Sequence, residues 1–248
     1  MTTLCIDPGL RNLSMCIMNS RYEILLWDTY NILDSDDYHC ESLFKNGKIC
    51  NRKCTMKYTN ETNKSYIFTC KTHFPKNITK KKCNDFKKKS IDDYLLQDIA
   101  LIFTQRLQEI YNNNINSFCM LTNIHIELQP KCNPKMVFIS HILYGKLIEL
   151  YTNTIPIKFV RASQKLRAYT GPVIQCKLKG KYAQRKYLSI KYGEWFLENK
   201  FSKEQRDIWI PTLLGKLDDR FDVMLMAINC ITGIPKKQIT NKRGKCIK

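Results

Sequence analysis

Acidic residues interrupt apolar sequence at three widely separated places. Asp7 follows the mostly apolar residues 1–6 and precedes a second apolar run, residues 13–18. Further acids stand in a predicted strand and in a predicted helix: Glu127, Asp218, Asp219 and Asp222. Burying an ionised carboxylate is costly unless it is paired or coordinated to a metal. Asp7 therefore needs partners from elsewhere in the chain.

These carboxylates suggest one kind of chemistry. Asp222 lies three residues after Asp219 and four after Asp218, so either pair projects from one face of a helix. Oxygen ligands suit Mg²⁺ or Mn²⁺, and two such ions can activate water and stabilise the leaving 3′ oxygen of a phosphodiester. The alternative is a solvent-facing acidic patch paired with Lys216 or Arg220, although the apolar flanks of this helix indicate burial.

The overall charge indicates what such a site would act on. The chain has 41 Lys and Arg residues against 22 Asp and Glu residues, which gives a net charge of +19. A charge of this size favours a polyanionic partner such as nucleic acid. A hydrophobic content of 44% is ordinary for a globular protein, and 248 residues can bury a sizeable core.

The elements that must position the acids follow from hydrophobic periodicity. Strands are predicted at residues 3–6, 13–18, 22–30, 123–129 and 157–160. Helices are predicted at residues 91–111, 135–151, 179–197 and 213–231. Strands that come first and then alternate with helices predict an α/β fold with a mixed sheet.

A cysteine-rich segment departs from this pattern. From Cys40 to Cys83 regular periodicity is lost, so we expect one domain over residues 1–248 that is interrupted by an insertion at residues 38–84. The insertion offers five ligands for a tetrahedral zinc site that needs four: Cys40, Cys50, Cys54, Cys70 and His73. Free buried thiols are the alternative. Zinc would stabilise an insertion too small to fold by itself.

The compartment is expected to be intracellular and reducing. Twelve cysteines could indicate a disulfide-built secreted protein, but Asp7 and Arg11 interrupt the first apolar stretch too early for a signal peptide. No run of 18 apolar residues occurs, so no membrane span is expected. In a reducing compartment, clustered cysteines more often hold metal.

Three motifs in order resemble one enzyme family. The segment IDPGLRNLS, residues 6–14, resembles the opening of the RuvC-type Holliday junction resolvases, which belong to the ribonuclease H and integrase superfamily. Residues 126–129, followed by Asn133 and Met136, resemble their second acidic motif, and residues 216–222 resemble the third. The order and spacing agree across the chain except in the insertion. Resolvases of large DNA viruses, poxvirus-type and related, are the relatives that we suggest, alongside the mitochondrial type.

This resemblance implies a ribonuclease H-like mixed sheet flanked by helices. It also implies a homodimer that cuts four-way and other branched DNA with Mg²⁺ or Mn²⁺. The metal-binding acids that it implies are Asp7, Glu127, Asp219 and Asp222. Asp218 remains a competitor for Asp219, because related sequences carry the same doublet.

The resemblance also points to a lysine and to a set of zinc ligands. Family members use a lysine upstream of the last helix near the scissile phosphate; we favour Lys186 over three neighbours, which are Lys177, Lys179 and Lys181. Backbone neutralisation is the alternative role for each of them. Similar viral insertions imply a zinc set of Cys40, Cys50, Cys70 and His73, with Cys54 in reserve.

Two other functions remain open at this point. The first is a less selective nuclease on flaps or RNA–DNA hybrids, because the acids alone do not determine the shape of the substrate. The second is a non-catalytic, zinc-containing DNA-binding factor. A viral replication site in the host cytoplasm or nucleus is the expected location.

Overall fold

The structure is a computed structural model that describes residues 1–33, 39–44, 46–52, 54–60, 65–76, 78, 83–85, 91–152, 154–213 and 217–233. It divides into two compact units. The first unit contains Met1–Ile32 and the described residues from Leu96 onward, and the second contains the described residues of Leu33–Leu95.

The strands and helices are numbered here in chain order. The strands are β1 (Thr2–Asp7), β2 (Asn12–Asn19), β3 (Ile24–Asn31), β4 (Met56–Thr59), β5 (Tyr66–Thr69), β6 (Cys83–Asp85), β7 (Asn123–Leu128) and β8 (Ile157–Arg161). The α-helices are α1 (Leu96–Asn113), α2 (Ile115–Phe118), α3 (Pro134–Tyr151), α4 (Lys181–Lys200), α5 (Lys203–Trp209) and α6 (Leu217–Thr232). Short 3-10 helices cover Lys71–His73, Ile91–Asp93, Ala162–Ala168 and Ile210–Thr212.

The first unit is built on a five-stranded mixed sheet. Its strand order is β3-β2-β1-β7-β8. Strands β1, β2 and β3 pair antiparallel as a meander, whereas β7 pairs parallel with β1 and β8 pairs parallel with β7. This order confirms the predicted α/β class and the ribonuclease H-like mixed sheet. The two strands that carry Asp7 and Glu127 are therefore neighbours at its centre.

The central strands are buried on both faces, as their continuous apolar runs predict. In β1 and β2, residues 3–6 and 13–18 are buried. Helix α6 packs against β1, β2 and α4. It approaches α4 closely, because a Cβ added at Gly193 would lie 2.0 Å from Phe221 Cδ1.

Three helices begin later than the sequence predicts. Helix α1 begins at Leu96 rather than at residue 91, and Ile91–Asp93 instead form a short 3-10 helix. The buried residues of α1 start at Ile99.

 Leu95 is 60% exposed, whereas Ile99 is fully buried. Helix α4 begins at Lys181 rather than at residue 179, because Gly180 precedes it with a φ of +92°, outside the helical region. Helix α6 is described from Leu217 rather than from residue 213, and residues 214–216 lie outside the described part of the chain.

The second unit contains a three-stranded antiparallel sheet of order β5-β4-β6. A hairpin-like loop precedes this sheet, with Leu43 bridged to Ile49 and with Gly47 at a φ of +76°. Much of the lysine-rich stretch at 79–89 lies outside the described residues. Across the described parts of both units, every helix is too short or too polar to cross a membrane.

Candidate active site and metal centre

The sheet brings the first two predicted acids together. Ile6 of β1 lies opposite Ile126 of β7 in parallel register. The next residue on each strand is Asp7 and Glu127, so both carboxylates stand at the same edge of the sheet. Their electrostatic coupling agrees with this placement, because the charge of Glu127 acts directly on Asp7.

Helix α6 brings the remaining acids to this edge. It packs on β1 and β2 with most of its length buried. The charges of Asp219 and Asp222 act on both Asp7 and Glu127. The structure therefore brings together the four acids that the sequence analysis singled out from three separate elements.

An open cleft of about 250 Å³ lies beside Asp7 and Asp219. The turn after β1 forms part of its wall, and Gly9 is required there because an added Cβ would lie 2.2 Å from the carbonyl oxygen of Asn12. The remaining lining residues are Pro8, Asn12, Ser14, Gln129 and Met136. The cleft gives a substrate access to the acids.

Lys165 also belongs to this cluster, and the sequence analysis missed it. It lies in the 3-10 helix Ala162–Ala168, directly after β8. Its Nζ donates to Glu127 Oε2 at 3.2 Å and to Asp222 Oδ2. The available signal was its position after the strand that neighbours β7, whereas the resemblance pointed to lysines between residues 177 and 186.

Burial and neighbouring charges shift the pKa values of Asp7, Glu127 and Lys165. Burial raises the pKa of the Asp7 carboxyl well above its usual range, and the carboxylate of Glu127 raises it further. Burial also raises the pKa of Glu127, against the opposing effect of the Lys165 ammonium. Burial alone would lower the pKa of Lys165, but Glu127, Asp222 and Asp7 outweigh it and raise this pKa. The directions of these shifts show that the carboxylates repel one another and that Lys165 offsets this repulsion only in part.

The carboxylate of Asp222 is held on both oxygens. Ser189 of α4, which is 1% exposed, donates its hydroxyl to Oδ1. Lys165 donates to Oδ2. These two contacts restrict the rotamers of Asp222 before any ligand binds.

The two members of the Asp218–Asp219 doublet face different surroundings. Asp218 Oδ2 lies 2.5 Å from Lys186 Nζ on α4. Asp219 instead lines the cleft with Asp7. Consecutive helical residues point about 100° apart, so the backbone of α6 accounts for this difference.

The four candidate lysines also differ in their surroundings. Lys177 and Lys179 are exposed on the segment that leads to α4, and Lys181 is exposed on its first turn. Lys186, one turn further along, contacts Asp218 and lies over the ring of Tyr182, 5.0 Å from its centroid. The hydrogen bond to Asp218 raises the pKa of Lys186.

A second cluster lies in the other unit. The ligand atoms of Cys40, Cys50, Cys70 and His73 all lie within 4.8 Å of one another. Cys50 Sγ is 3.8 Å from Cys70 Sγ, and His73 Nδ1 is 3.5 Å from the Sγ atoms of Cys40 and Cys70. Zn–S bonds of about 2.3 Å place tetrahedral sulfur ligands roughly 3.8 Å apart, so the four residues fit a zinc ion.

The backbone around this cluster is already arranged for it. Cys40 N donates to Arg52 O, and Cys50 N donates to Ser42 O, which pairs the two chain segments that carry these thiols. Phe44 packs edge-on against the ring of His73 with centroids 5.0 Å apart. Burial opposes ionisation of Cys40, but hydrogen bonds from Cys70, Ser42 and His73 lower its pKa to about 6.

Cys54 is buried beside the four but is not one of them. It is 3% exposed and packs in the same cluster of cysteines. Burial and the neighbouring thiolates of Cys40, Cys70 and Cys50 raise its pKa to about 11. What separates Cys54 from the ligand set is geometry, because the ligand atoms that lie within 4.8 Å of one another are those of Cys40, Cys50, Cys70 and His73.

Comparison with known proteins gives distant similarities. No protein-family model matches the chain. It is 29% identical over 209 residues to an uncharacterised protein of Acanthamoeba polyphaga mimivirus, covering 78% of this chain. The chain spans 49% of that relative's length.

Solved structures of resolvases are also similar. They include the yeast mitochondrial Holliday junction resolvase Ydc2, with 14% identity, a TM-score of 0.43 and coverage of 92% of this chain and 77% of that one. Thermus thermophilus RuvC with a Holliday junction substrate has 9% identity, a TM-score of 0.41 and coverage of 94% and 97%. Fowlpox virus resolvase with Holliday junction DNA has 14% identity, a TM-score of 0.39 and coverage of 95% and 100%. The TM-scores are low, so the function of this chain has to be inferred from its own side chains.

Proposed function

We propose that this chain is a divalent-metal-dependent endonuclease that cleaves branched DNA. The observation that carries the proposal is the meeting of Asp7, Glu127, Asp219 and Asp222 beside one open cleft. Carboxylate oxygens in this number suit Mg²⁺ or Mn²⁺. The net charge of +19 favours a DNA backbone as the partner.

The residues of this cluster have separate roles in the proposed reaction. Asp7, Glu127, Asp219 and Asp222 would hold the metal, which when bound supplies an activated water and stabilisation of the leaving 3′ oxygen. Lys165 keeps Glu127 and Asp222 together and offsets part of their repulsion. Ser189 fixes the orientation of Asp222.

The choice of a four-way junction rests on the three motifs that resemble those of RuvC-type resolvases, at residues 6–14, 126–129 and 216–222. Three of the similar solved structures are named as Holliday junction resolvases or contain Holliday junction DNA, which agrees with this choice. Resolving a symmetric junction requires two incisions at a fixed separation, which a homodimer with two identical sites provides. Helix α3 is our candidate for the dimer face.

We also propose that residues 38–84 form a zinc-binding insertion. Cys40, Cys50, Cys70 and His73 would hold one zinc ion and thereby stabilise the fold of this segment. Under this proposal zinc stabilises the fold of the insertion and is not required to take part in cleavage. The similarity to a mimivirus protein supports a viral replication site in the host as the location.

A cleavage assay on synthetic four-way junctions tests the proposed activity. We expect Mg²⁺ or Mn²⁺ to support paired nicks at symmetry-related positions, with little attack on linear duplex of the same sequence. Equal cleavage of flaps, RNA–DNA hybrids and junctions would instead identify a less selective nuclease. Junction binding without cleavage in either metal would identify a non-catalytic DNA-binding factor.

A further inference from the structure

We propose that Asp218 is a positioning residue for Lys186, and that Lys186 contacts a phosphate of the bound DNA strand. Asp219, not Asp218, then completes the metal-binding set. This inference rests on the proposed nuclease function and assigns separate roles to the two acids of the doublet.

The first support is the direction of the two side chains. Asp218 points to α4, where its Oδ2 lies 2.5 Å from Lys186 Nζ. Asp219 lines the cleft together with Asp7. Its charge acts on Asp7 and Glu127. The main electrostatic influences on those two acids come from Asp219 and Asp222 rather than from Asp218.

The second support is the burial of this ion pair. The side chain of Asp218 is 13% exposed, and a carboxylate at this depth requires a partner. Lys186 supplies that partner from the neighbouring helix. The contact therefore differs from an exposed surface ion pair, which has little effect on geometry.

The third support is a parallel link between the same two helices. Ser189 lies three residues after Lys186 on α4, and Asp222 lies four residues after Asp218 on α6. Ser189 donates to Asp222, as Lys186 donates to Asp218. The two links hold the ammonium of Lys186 one helical turn from a predicted metal ligand.

The position of Lys186 leaves it able to meet a phosphate. Its side chain is 34% exposed. Its ammonium has three donors, and its hydrogen-bond partners are Asp218 and Tyr182. The ring of Tyr182, itself 73% exposed, lies against the ammonium at 5.0 Å. Asp218 and Tyr182 together limit the rotamers of a long side chain that would otherwise move freely.

Four variants of the full chain test this assignment: Asp218→Asn, Asp219→Asn, Lys186→Met and the double variant Asp218→Asn/Lys186→Met. Binding of Mn²⁺ is measured by calorimetry, and kcat and KM are measured on a four-way junction. We expect Asp218→Asn to keep the Mn²⁺ affinity of the wild type and to lower kcat/KM about tenfold. Asp219→Asn is expected to lose Mn²⁺ binding.

The double variant separates positioning from mere stabilisation. If Asp218 acts through Lys186, Asp218→Asn/Lys186→Met loses no more kcat/KM than Lys186→Met alone. A loss in the double variant equal to the product of the fold-losses in the two single variants would overturn the assignment, as would a loss of Mn²⁺ binding in Asp218→Asn. Unchanged kcat/KM in Asp218→Asn, with only a lower Tm, would also overturn it.

Failure of the proposed function would look different. A wild-type chain that binds no Mn²⁺ and cuts no junction would remove the nuclease function itself. Loss of Mn²⁺ binding in Asp218→Asn, with normal binding and cleavage by the wild type, would remove only the role of Asp218.

Discussion

The two candidate metal centres differ in how the protein supports them. The acids stand on strands and a helix of a large core, in which β1, β2 and α6 bury most of their side chains. In the described residues between 39 and 78, burial is confined to a few positions: Cys40, Cys50, Cys54, Thr69 and Cys70. The acids are therefore supported by a large core made of other residues. Among the described residues of the second unit, the cysteines themselves make up most of the buried positions.

The two centres also differ in the chemistry of their ligands. The acids repel one another and Lys165 offsets this repulsion in part, so we expect the surrounding core to keep the acids in place without metal. The thiolates and imidazole of the other centre suit zinc, whose binding energy contributes directly to folding. Removal of the metal should therefore stop chemistry at the first centre and unfold the second.

The largest expected effect is on catalysis, in Asp7→Asn. This variant removes one metal-binding charge from a site that needs all of them, so we expect cleavage to fall by about 10³-fold or more. Junction binding should persist, because the phosphate contacts remain. A rate assay and a binding assay at one salt concentration measure both. Retained cleavage in Asp7→Asn would place the chemistry elsewhere.

The next effect is on the fold of the second unit, in Cys70→Ser. Loss of one zinc ligand should leave residues 33–95 open to proteolysis, because zinc contributes on the order of 10 kcal/mol to folding in small zinc modules. Metal analysis should give one zinc ion per wild-type chain and much less for the variant. Cys54→Ser is the matched control and should keep its zinc. Equal zinc content and equal protease resistance in Cys70→Ser would contradict the zinc proposal.

A smaller effect is expected at Lys165, which shares the acid cluster with the proposed metal. Lys165→Met removes a positive charge beside Glu127 and Asp222, so Mn²⁺ should bind about tenfold more tightly. The metal-free protein should at the same time become less stable, because the acids lose their counter-charge. Calorimetry and thermal unfolding measure the two changes. Weaker Mn²⁺ binding would show that Lys165 orders the ligands more than it competes with the metal.

Ser189→Ala probes the orientation of a single ligand. It leaves Asp222 Oδ1 without its hydroxyl donor, and a hydrogen bond to a charged group contributes about 1.5–3 kcal/mol. We expect kcat to fall about tenfold with little change in overall fold. Ser189→Thr keeps the hydroxyl and serves as the control. A normal kcat in Ser189→Ala would mean that Lys165 alone fixes Asp222.

The smallest effect is on pH dependence without metal. Burial raises the pKa of Asp7 and Glu127, so their contribution to stability is complete below their ordinary pKa and is lost as pH rises through the raised values. The Tm of the metal-free protein should therefore fall by a few degrees, about 2–4 °C, as pH rises from acidic to neutral. Asp7→Asn should reduce this slope and raise the Tm near neutral pH. A Tm that rises with pH in the wild type would contradict the raised pKa values.

The sequence predicted more of the acid site than of its surroundings. Asp7 and Glu127 could be placed because they interrupt apolar strands, and Asp222 could be placed because it lies in a buried helix. Lys165 could not, since it stands in a 3-10 helix after β8, where no periodicity marks a side chain as facing the acids. The proposed roles of Asp218 and Asp219 rest on the position of α4, which sequence spacing does not contain.

The zinc-binding unit shows the same pattern, because its ligands could be predicted from the sequence and its sheet could not. Cys40, Cys50, Cys70 and His73 were expected from resemblance to viral insertions, and the structure places their ligand atoms together. The three-stranded sheet of this unit was not predicted, because its strands are short and lack a regular apolar face. In such a unit the cysteine spacing carries more information than hydrophobic periodicity.

Anomalous diffraction from crystals of the full chain soaked in Mn²⁺ would test the central claim most directly. The account predicts manganese peaks within coordination distance of Asp7, Glu127, Asp219 and Asp222, with none at Asp218. Peaks elsewhere, or an acid cluster that stays without manganese at saturating concentration, would contradict it.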